Sequence, residues 1–474
     1  MKFKIQVISI SDDGQEQTRE ITTLERNELS LATLGLTLAE SKAILKDLQE
    51  IVVEQQATTY SVSQQRCPDC GALRVSKGSH TIPIRTPFGK IRMKSPRIYH
   101  CQCKPHPTKT FSPLAERLPE RTTPELLFLE TKWSSLISYG MSAELLEDVL
   151  PMNELVNAFT IRQHVLKVAG RLESALGNEQ ISFIEGCQRD WSKLPIPDGP
   201  LIVGIDGGYI RGQHKEGHFE VIAGKSMLSF RRGEEHSEPE GKCFAFVQTL
   251  DSKSKRRLFE HLKSQGMQEN QKVVFLSDGG EDVRNLQLYL SPQAEHLLDW
   301  FHVTMRLTVM NQMARGLPIK MGGEDEEYNL KEPVLKLLER IKWYLWHGIV
   351  FQALQKLEFI EMDLDAAAFE SRGGKIIKLL KAVEEFQTYI SRNRDFIPNY
   401  GERYRNGEPI SSGFVESAVN QVVCKRMVKK QQMQWSQRGA HLLLQVRTRV
   451  LNSEWEDVFR EWYPDFRPRL ANAA

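Results

Sequence analysis

The sequence predicts an α/β chain of several domains, built around one mixed sheet flanked by helices and interrupted by an all-α insertion. Three observations carry this. Leu201, Ile202, Val203 and Ile205 form an apolar run closed by Asp206-Gly207-Gly208. A second run, Val273, Val274, Phe275 and Leu276, leads through Ser277 into Asp278-Gly279-Gly280. Such runs read as strands buried on both faces, and the strand-like and helical stretches that alternate up to Asp299 read as a sheet with helices packed against it. With 474 residues, 40% hydrophobic and 26% charged, the chain has the composition of a globular protein of several domains. A formal net charge of +2 gives no overall basicity, so a polyanionic partner has to be argued from local patches. No stretch approaches the length of a membrane-spanning helix, and the first ten residues alternate like a short strand rather than forming a signal peptide. The expectation is a cytoplasmic protein with no membrane partner.

Taken in order, residues 1–60 hold that strand and an amphipathic helix. Thr37 and Glu40 have capping-box spacing, and Ile44, Leu45, Leu48, Ile51 and Val52 follow at helical intervals to about residue 56. Residues 61–108 form a second module. Cys67 and Cys70 precede an alternating stretch, and Cys101 and Cys103 follow it. Residues 79–85 and 90–97 read as a hairpin around the turn at 86–89. Two thiolate pairs at the base of a hairpin predict a structural Zn2+ site of the zinc-ribbon kind, with His100 or His106 able to replace one thiolate. Seven cysteines with this spacing suit a metal site better than a disulfide framework. Cys187, Cys243 and Cys424 read as buried apolar residues. No acid occurs from residue 72 to residue 113, while Lys77, Arg85, Lys90, Arg92, Lys94 and Arg97 do, a surface suited to phosphates or simply to solvent.

Prolines punctuate residues 105–124 as a linker. Residues 120–185 read as helical and resemble a helix-turn-helix, with Gly140 as the turn, Ser142 as a cap, and a helix that starts at Thr160 and carries Arg162 and Gln163 as DNA contacts. Residues 198–302 together with 408–453 make the sheet-bearing core, 303–407 the helical insertion and 454–474 a tail. In the insertion, Trp343, Tyr344, Trp346 and Phe351 read as core. After Ser411 and Ser412, either able to cap a helix, comes Glu416. From residue 419 to residue 453 there is no acid, yet Lys425, Arg426, Lys429, Lys430 and Arg438 are present with Trp435 among them. A single carboxylate ahead of a basic segment fits a metal ligand followed by a helix along a phosphate backbone. The strand order suggests a core of the RNase H kind.

These residues together resemble a known group. Val203-Gly204-Ile205-Asp206-Gly207-Gly208, Leu276-Ser277-Asp278-Gly279-Gly280, Asp299-Trp300-Phe301-His302 and Gly413-Phe414-Val415-Glu416-Ser417 are similar to the core of DDE-type insertion-sequence transposases, nearest the Kra-type bacterial family and more distantly Mutator-like ones. The resemblance implies an RNase H-like catalytic domain in which Asp206, Asp278 and Glu416 hold two Mg2+ (or Mn2+) ions. It implies Asp299 and His302 as supporting residues. It further implies double-stranded DNA partners, both terminal inverted repeats and target, a homodimer or higher oligomer on DNA, and a nucleoid-associated location. Glu281, Asp282 and Asp251 are the rival acids. The alternatives are a structure-specific nuclease on the same core and an inactive transposase-derived DNA-binding protein.

Overall fold

The computed structural model describes all residues except 11–13, 153–155, 179–186, 196, 198, 214–216, 229–240, 281–285, 287–293, 318–328, 372–373, 429–432 and 470–474. The chain divides into two compact units, Met1–Val168 with Ser453–Ala474, and Ala169–Asn452.

In the first unit, β1 (Lys2–Ile10) pairs antiparallel with β2 (Glu16–Glu25). The polar run of β2 gives no alternation that would reveal it. Helix Leu38–Ser63 starts at the expected capping box. The Thr37 side chain accepts from the Glu40 N–H (3.2 Å), and a Glu40 carboxylate oxygen accepts from the Thr37 N–H (2.9 Å). The helix runs past residue 56 because Val53, Ala57 and Tyr60 pack on the hairpin. That hairpin is β3 (Ser76–Thr86) and β4 (Gly89–Tyr99), with β5 (Thr110–Phe111) added beside β4. Ile82, Ile84, Ile91, Met93 and Leu114 form its core, while Arg92 and Lys94, at the alternate positions, are exposed. The proline-rich stretch contains β5 and a short helix, Pro113–Arg117, and so is more ordered than a linker.

Helices Pro124–Leu136, Tyr139–Val149 and Ala158–Ala175 follow. The expected helix-turn-helix differs here in its turn, its cap and the start of its last helix. Ser138, not Ser142, is the cap, its hydroxyl accepting from the Met141 N–H (3.2 Å), so Gly140 lies inside the helix. Ser142 is buried and donates to the Ser138 carbonyl (2.8 Å). The third helix begins at Ala158, ahead of Thr160, and holds His164 against the buried Glu130. The expected tail forms helix Trp455–Trp462, whose buried Phe459 meets Phe128 edge-on, with Arg467 paired to Glu125.

The second unit is built on a five-stranded sheet in the order β10-β9-β6-β7-β8. β6 (Leu201–Arg211), β7 (His218–Met227) and β8 (Gly241–Val247) are antiparallel neighbours. β9 (Val273–Ser277) lies parallel to β6, and β10 (Glu295–Leu298) parallel to β9. Helix Ser254–Ser264 packs on one face through Leu258, Phe259 and Leu262. Helices Trp300–Arg315, Lys331–Trp346, Val350–Ser371 and Gly374–Arg392 share a separate apolar core that includes Leu307, Leu338, Leu357 and Val383. Trp343 and Phe351, expected in that core, are exposed, while Tyr344 and Trp346 pack against it. Helix Gly413–Val419 then lies on the sheet, passes into a π-helical segment Asn420–Val428, and helix Gln437–Leu451 packs on β8. Cys243 is buried, but Cys187 is exposed and donates to Asp190, against expectation.

Candidate active site and metal centre

β6 does not stop at Asp206. It continues through both glycines to Arg211, paired with β7 throughout, because Ala223, Ile222 and Val221 keep supplying partners. What ends near Asp206 is the parallel neighbour. The β6–β9 register runs from Leu201↔Val273 to Gly204↔Leu276. Extended by two residues, it sets Asp278 level with Asp206. The β9–β10 register ends at Leu298↔Ser277, so Asp299 comes next to Asp278. Three aspartates thus stand in one row across three adjacent parallel strands, just past the ends of β9 and β10 and where β6 outruns β9. Strand spacing in a sheet is ~4.8 Å, and the carboxyl ends of parallel strands are where α/β sheets bind ligands.

The row is electrostatically strained. Burial, and then the charges of Asp278 and Asp299, raise the Asp206 carboxyl above the ordinary range, against the opposing pull of the Gly207 N–H and His302. The Gly207 N–H donates to Asp206 Oδ1 (2.8 Å), and the Gly280 N–H to Asp278 Oδ1 (3.0 Å). His302 Nε2 lies 4.0 Å from Asp206 Oδ1 and 3.7 Å from Asp299 Oδ2. Asp299 is fully buried and occupied. Its Oδ1 accepts from the N–H groups of Phe301 (2.8 Å) and Ser412 (3.0 Å), and its Oδ2 from the Ser412 hydroxyl. It caps the His302 helix and fastens the chain just ahead of Glu416.

Helix Gly413–Val419 crosses β6 at two glycines. A Cβ on Gly204 would fall 1.9 Å from Val415 Cγ2, and one on Gly208 would fall 3.2 Å from Val419 Cγ1. Residues 204, 206 and 208 share one face of the strand, so Asp206 emerges on the face this helix covers. Glu416, exposed in its first turn, follows Val415 directly. Among the described residues, two sets of three or more potential ligands have all their ligand atoms within 4.8 Å of one another. They are Cys67, Cys70, Cys101 and Cys103, and Glu173, Asp251 and His441; Asp206, Asp278 and Glu416 are not such a set. The second set encloses Arg257, which binds Asp251 through Nε (2.7 Å) and Glu173 through Nη1 (2.9 Å). Its carboxylates are already neutralised, and Asp251 belongs to this network. Glu281 and Asp282 lie outside the described residues, as do Lys429 and Lys430.

The four thiols gather as the spacing predicts. Cys67 and Cys103 sulfurs are 3.6 Å apart, and those of Cys70 and Cys101 3.3 Å. His100 stacks on His106 and Phe111, outside the cluster. The backbone N–H groups of Cys70 and Asp69 bring Cys67 down to about 6, while the thiols of Cys101 and Cys67 push Cys103 up to about 12. Four thiols this close cannot all ionise without a cation. Tetrahedral ligands at ~2.3 Å from a metal stand at such separations.

The basic segment behaves differently from its expected role. Arg426 is buried with its guanidinium over the Trp435 ring (5.2 Å), and Trp435 is itself buried, bonded to Arg211 beside the end of β6. Neither is a DNA-facing residue. The π-helical backbone leaves carbonyls that buried Arg447 fills, donating to Val422 (2.7 Å) and Gln421. Lys425 and Arg438 are exposed, Gln163 is exposed and Arg162 is half-buried.

The sequence reading missed three residues beside the row. The helical insertion brings Tyr389 and Asn393, and the His302 helix brings Arg306. Burial raises the Tyr389 phenol, Arg306 opposes, and the charges of Asp278 and Asp299 add to the rise. Gly279, at φ +86°, is pressed against the Asn393 side chain, where a Cβ would sit 2.5 Å from Oδ1. No local motif marks these positions. Known protein families and curated proteins provide no match to the chain.

Proposed function

We propose that this chain is a DNA transposase of the DDE type, which binds the ends of its element and catalyses metal-dependent strand cleavage and strand transfer on an RNase H-like core. The observation that carries the reading is the aspartate row, with a helix bearing Glu416 laid over Asp206. The strand order, three antiparallel strands followed by two parallel ones on the other side of β6, supports the RNase H-like core.

The donor set suits hard divalent cations, since it consists of carboxylate oxygens that repel one another. Mg2+ or Mn2+ ions held by Asp206, Asp278 and Glu416 would neutralise a backbone phosphate and lower the pKa of the attacking hydroxyl. A pair of ions ~3.5–4 Å apart spreads its ligands, so the three acids need not share one close sphere. Asp206, half-buried next to Asp278 and under the helix of Glu416, is the carboxylate best placed to be shared. His302 orients it from one side, and Asp299 fixes the helix that presents Glu416. Cleavage places water's oxygen on phosphorus and releases a 3′-hydroxyl; transfer places that hydroxyl's oxygen on a target phosphodiester and releases the target's own 3′-oxygen. Neither step needs a side-chain nucleophile. The four-cysteine cluster is a closed site that fits structural zinc. Lys425, Arg438, Arg162 and Gln163 remain the proposed DNA contacts.

The test pairs binding to inverted repeats flanking the gene with Mg2+-dependent cleavage and joining of the same DNA. Asp206→Asn, Asp278→Asn and Glu416→Gln each abolish both reactions while leaving binding intact. Normal cleavage by any of these variants would remove that acid from the mechanism. Cleavage without joining would favour a nuclease.

A further inference from the structure

Arg306 stands one turn beyond His302 on helix Trp300–Arg315, four residues on and so on the same helix face, ~6 Å along the axis. His302 is the side chain that reaches Asp206. Arg306 is exposed, and among the described residues it forms no ion pair; its guanidinium lies over the Tyr389 ring, 4.4 Å from the centroid. The Tyr389 hydroxyl is buried with no hydrogen-bond partner among the described residues. A buried hydroxyl without a partner is costly, and such groups mark sites that something else completes.

The same helical segment braces the second aspartate. The Asn393 N–H and side-chain amide both donate to the Tyr389 carbonyl, and the Asn393 side chain abuts Gly279, next to Asp278. The insertion therefore contributes to the site's wall. It adds a fixed cation and a free hydroxyl beside a row of like-charged carboxylates. An anion drawn to the metal-bearing row would meet both groups. Guanidinium and hydroxyl donors are the usual partners of phosphate oxygens.

We propose that Arg306 and Tyr389 form a phosphodiester-binding subsite beside the aspartate row, holding a backbone phosphate of the strand on which the carboxylates act. This rests on the reading of the row as a phosphodiester-cleaving site. Arg306 supplies charge, and the Tyr389 ring keeps the guanidinium plane in place while its hydroxyl donates to the same phosphate.

The experiment uses the full chain in Ca2+, with a fluorescein-labelled mixed-sequence DNA duplex and the corresponding single strand, titrated across a salt series. Arg306→Ala weakens binding ~10-fold and reduces the slope of log affinity against log salt by about 0.9 on duplex or 0.7 on single strand, the loss of one phosphate contact. Tyr389→Phe weakens binding ~3- to 10-fold, leaves the slope unchanged and does not lower the melting temperature, because the lost hydroxyl has no partner within the protein. If both variants titrate like wild type while wild type binds DNA and cleaves it in Mg2+, the subsite is wrong and the Arg306–Tyr389 stack is structural only. A lowered melting temperature for Tyr389→Phe with unchanged affinity leads to the same conclusion. If wild type neither binds nor cleaves, the catalytic reading falls and the subsite with it.

Discussion

Gly204→Ala probes the packing of the Glu416 helix over the strand that carries Asp206. The new methyl carbon would lie 1.9 Å from Val415 Cγ2 and 2.9 Å from Phe414 Cζ. Carbon atoms in contact prefer ~3.5–4.0 Å, so helix Gly413–Val419 has to move by roughly 1.5–2 Å. Val415 cannot turn aside, because a β-branched residue in a helix has one strongly preferred rotamer and this one is fully buried. Overpacking of this kind costs about 1–3 kcal/mol, and at ~2–4 °C per kcal/mol for a unit this large the melting temperature falls by roughly 2–12 °C. A displacement of ~1 Å at a catalytic group costs on the order of 100-fold in rate. On the proposed function, metal-dependent DNA cleavage should therefore fall by at least that factor at temperatures where the variant remains folded. Val415→Ala removes the obstructing methyls, so the double variant should be more stable than the summed single effects, by about 1–2 kcal/mol of coupling. Melting curves and cleavage rates for the four proteins of this cycle decide the matter. A Gly204→Ala protein that melts and cleaves like wild type, or a cycle with no coupling, would show that the helix does not rest on Gly204.

Three further outcomes are expected. Raising the Asp206 pKa above its ordinary value of 3.8 means that its ionisation disfavours the folded state; the penalty is absent at pH values below 3.8 and complete above the raised value. Metal-free Asp206→Asn should melt higher than wild type at pH 7, with the gain shrinking as pH falls towards 3.8, and a lower melting point at pH 7 would contradict the strain described for the row. Asp299→Ala frees the Ser412 N–H and hydroxyl and should cost about 2–4 kcal/mol in chemical denaturation, with Asp299→Asn costing less because one acceptor oxygen remains; equal and negligible costs would mean that the tie is not made. Protein expressed with zinc should carry one equivalent per chain, and Cys67→Ser should lose it and open residues 64–110 to proteolysis, whereas metal-free wild type with an intact hairpin would remove zinc from the account.

The hairpin, its cysteine pairs, the capping box and both central strands were legible because each is local: alternation, spacing and a terminal carboxylate all lie within a dozen residues. That Asp206 and Asp278 meet was expected from their matching Asp-Gly-Gly motifs, but the placing of Asp299 level with them was not legible, since register between strands far apart in sequence leaves no trace in either strand alone. Charge misled at the C-terminal basic stretch. Arg426 read as a surface cation, yet it is buried against Trp435, within a π-helical turn that no pattern announced and whose carbonyls Arg447 serves. Cap position failed at Ser138 and Ser142 for a simpler reason: two serines four residues apart offer the same chemistry, and the helix starts at the first. Tyr389 and Arg306 were invisible because nothing in a regular helical pattern marks a residue that serves a distant sheet.

The helical insertion begins and ends at one knot. The Trp300 N–H donates to the Ile410 carbonyl (3.1 Å), the Tyr400 hydroxyl to the Leu298 carbonyl (2.7 Å), and Ser412 to Asp299. Chain closure is thus settled at the stem, before any of the intervening helices is considered. What hangs beyond the knot can grow or shrink without moving Asp299, provided the stem and the Tyr389–Asn393 turn against Gly279 are kept. Change along such a scaffold is expected to spare the aspartates, the knot and the Tyr389–Asn393 turn, and to fall on the helices farther out.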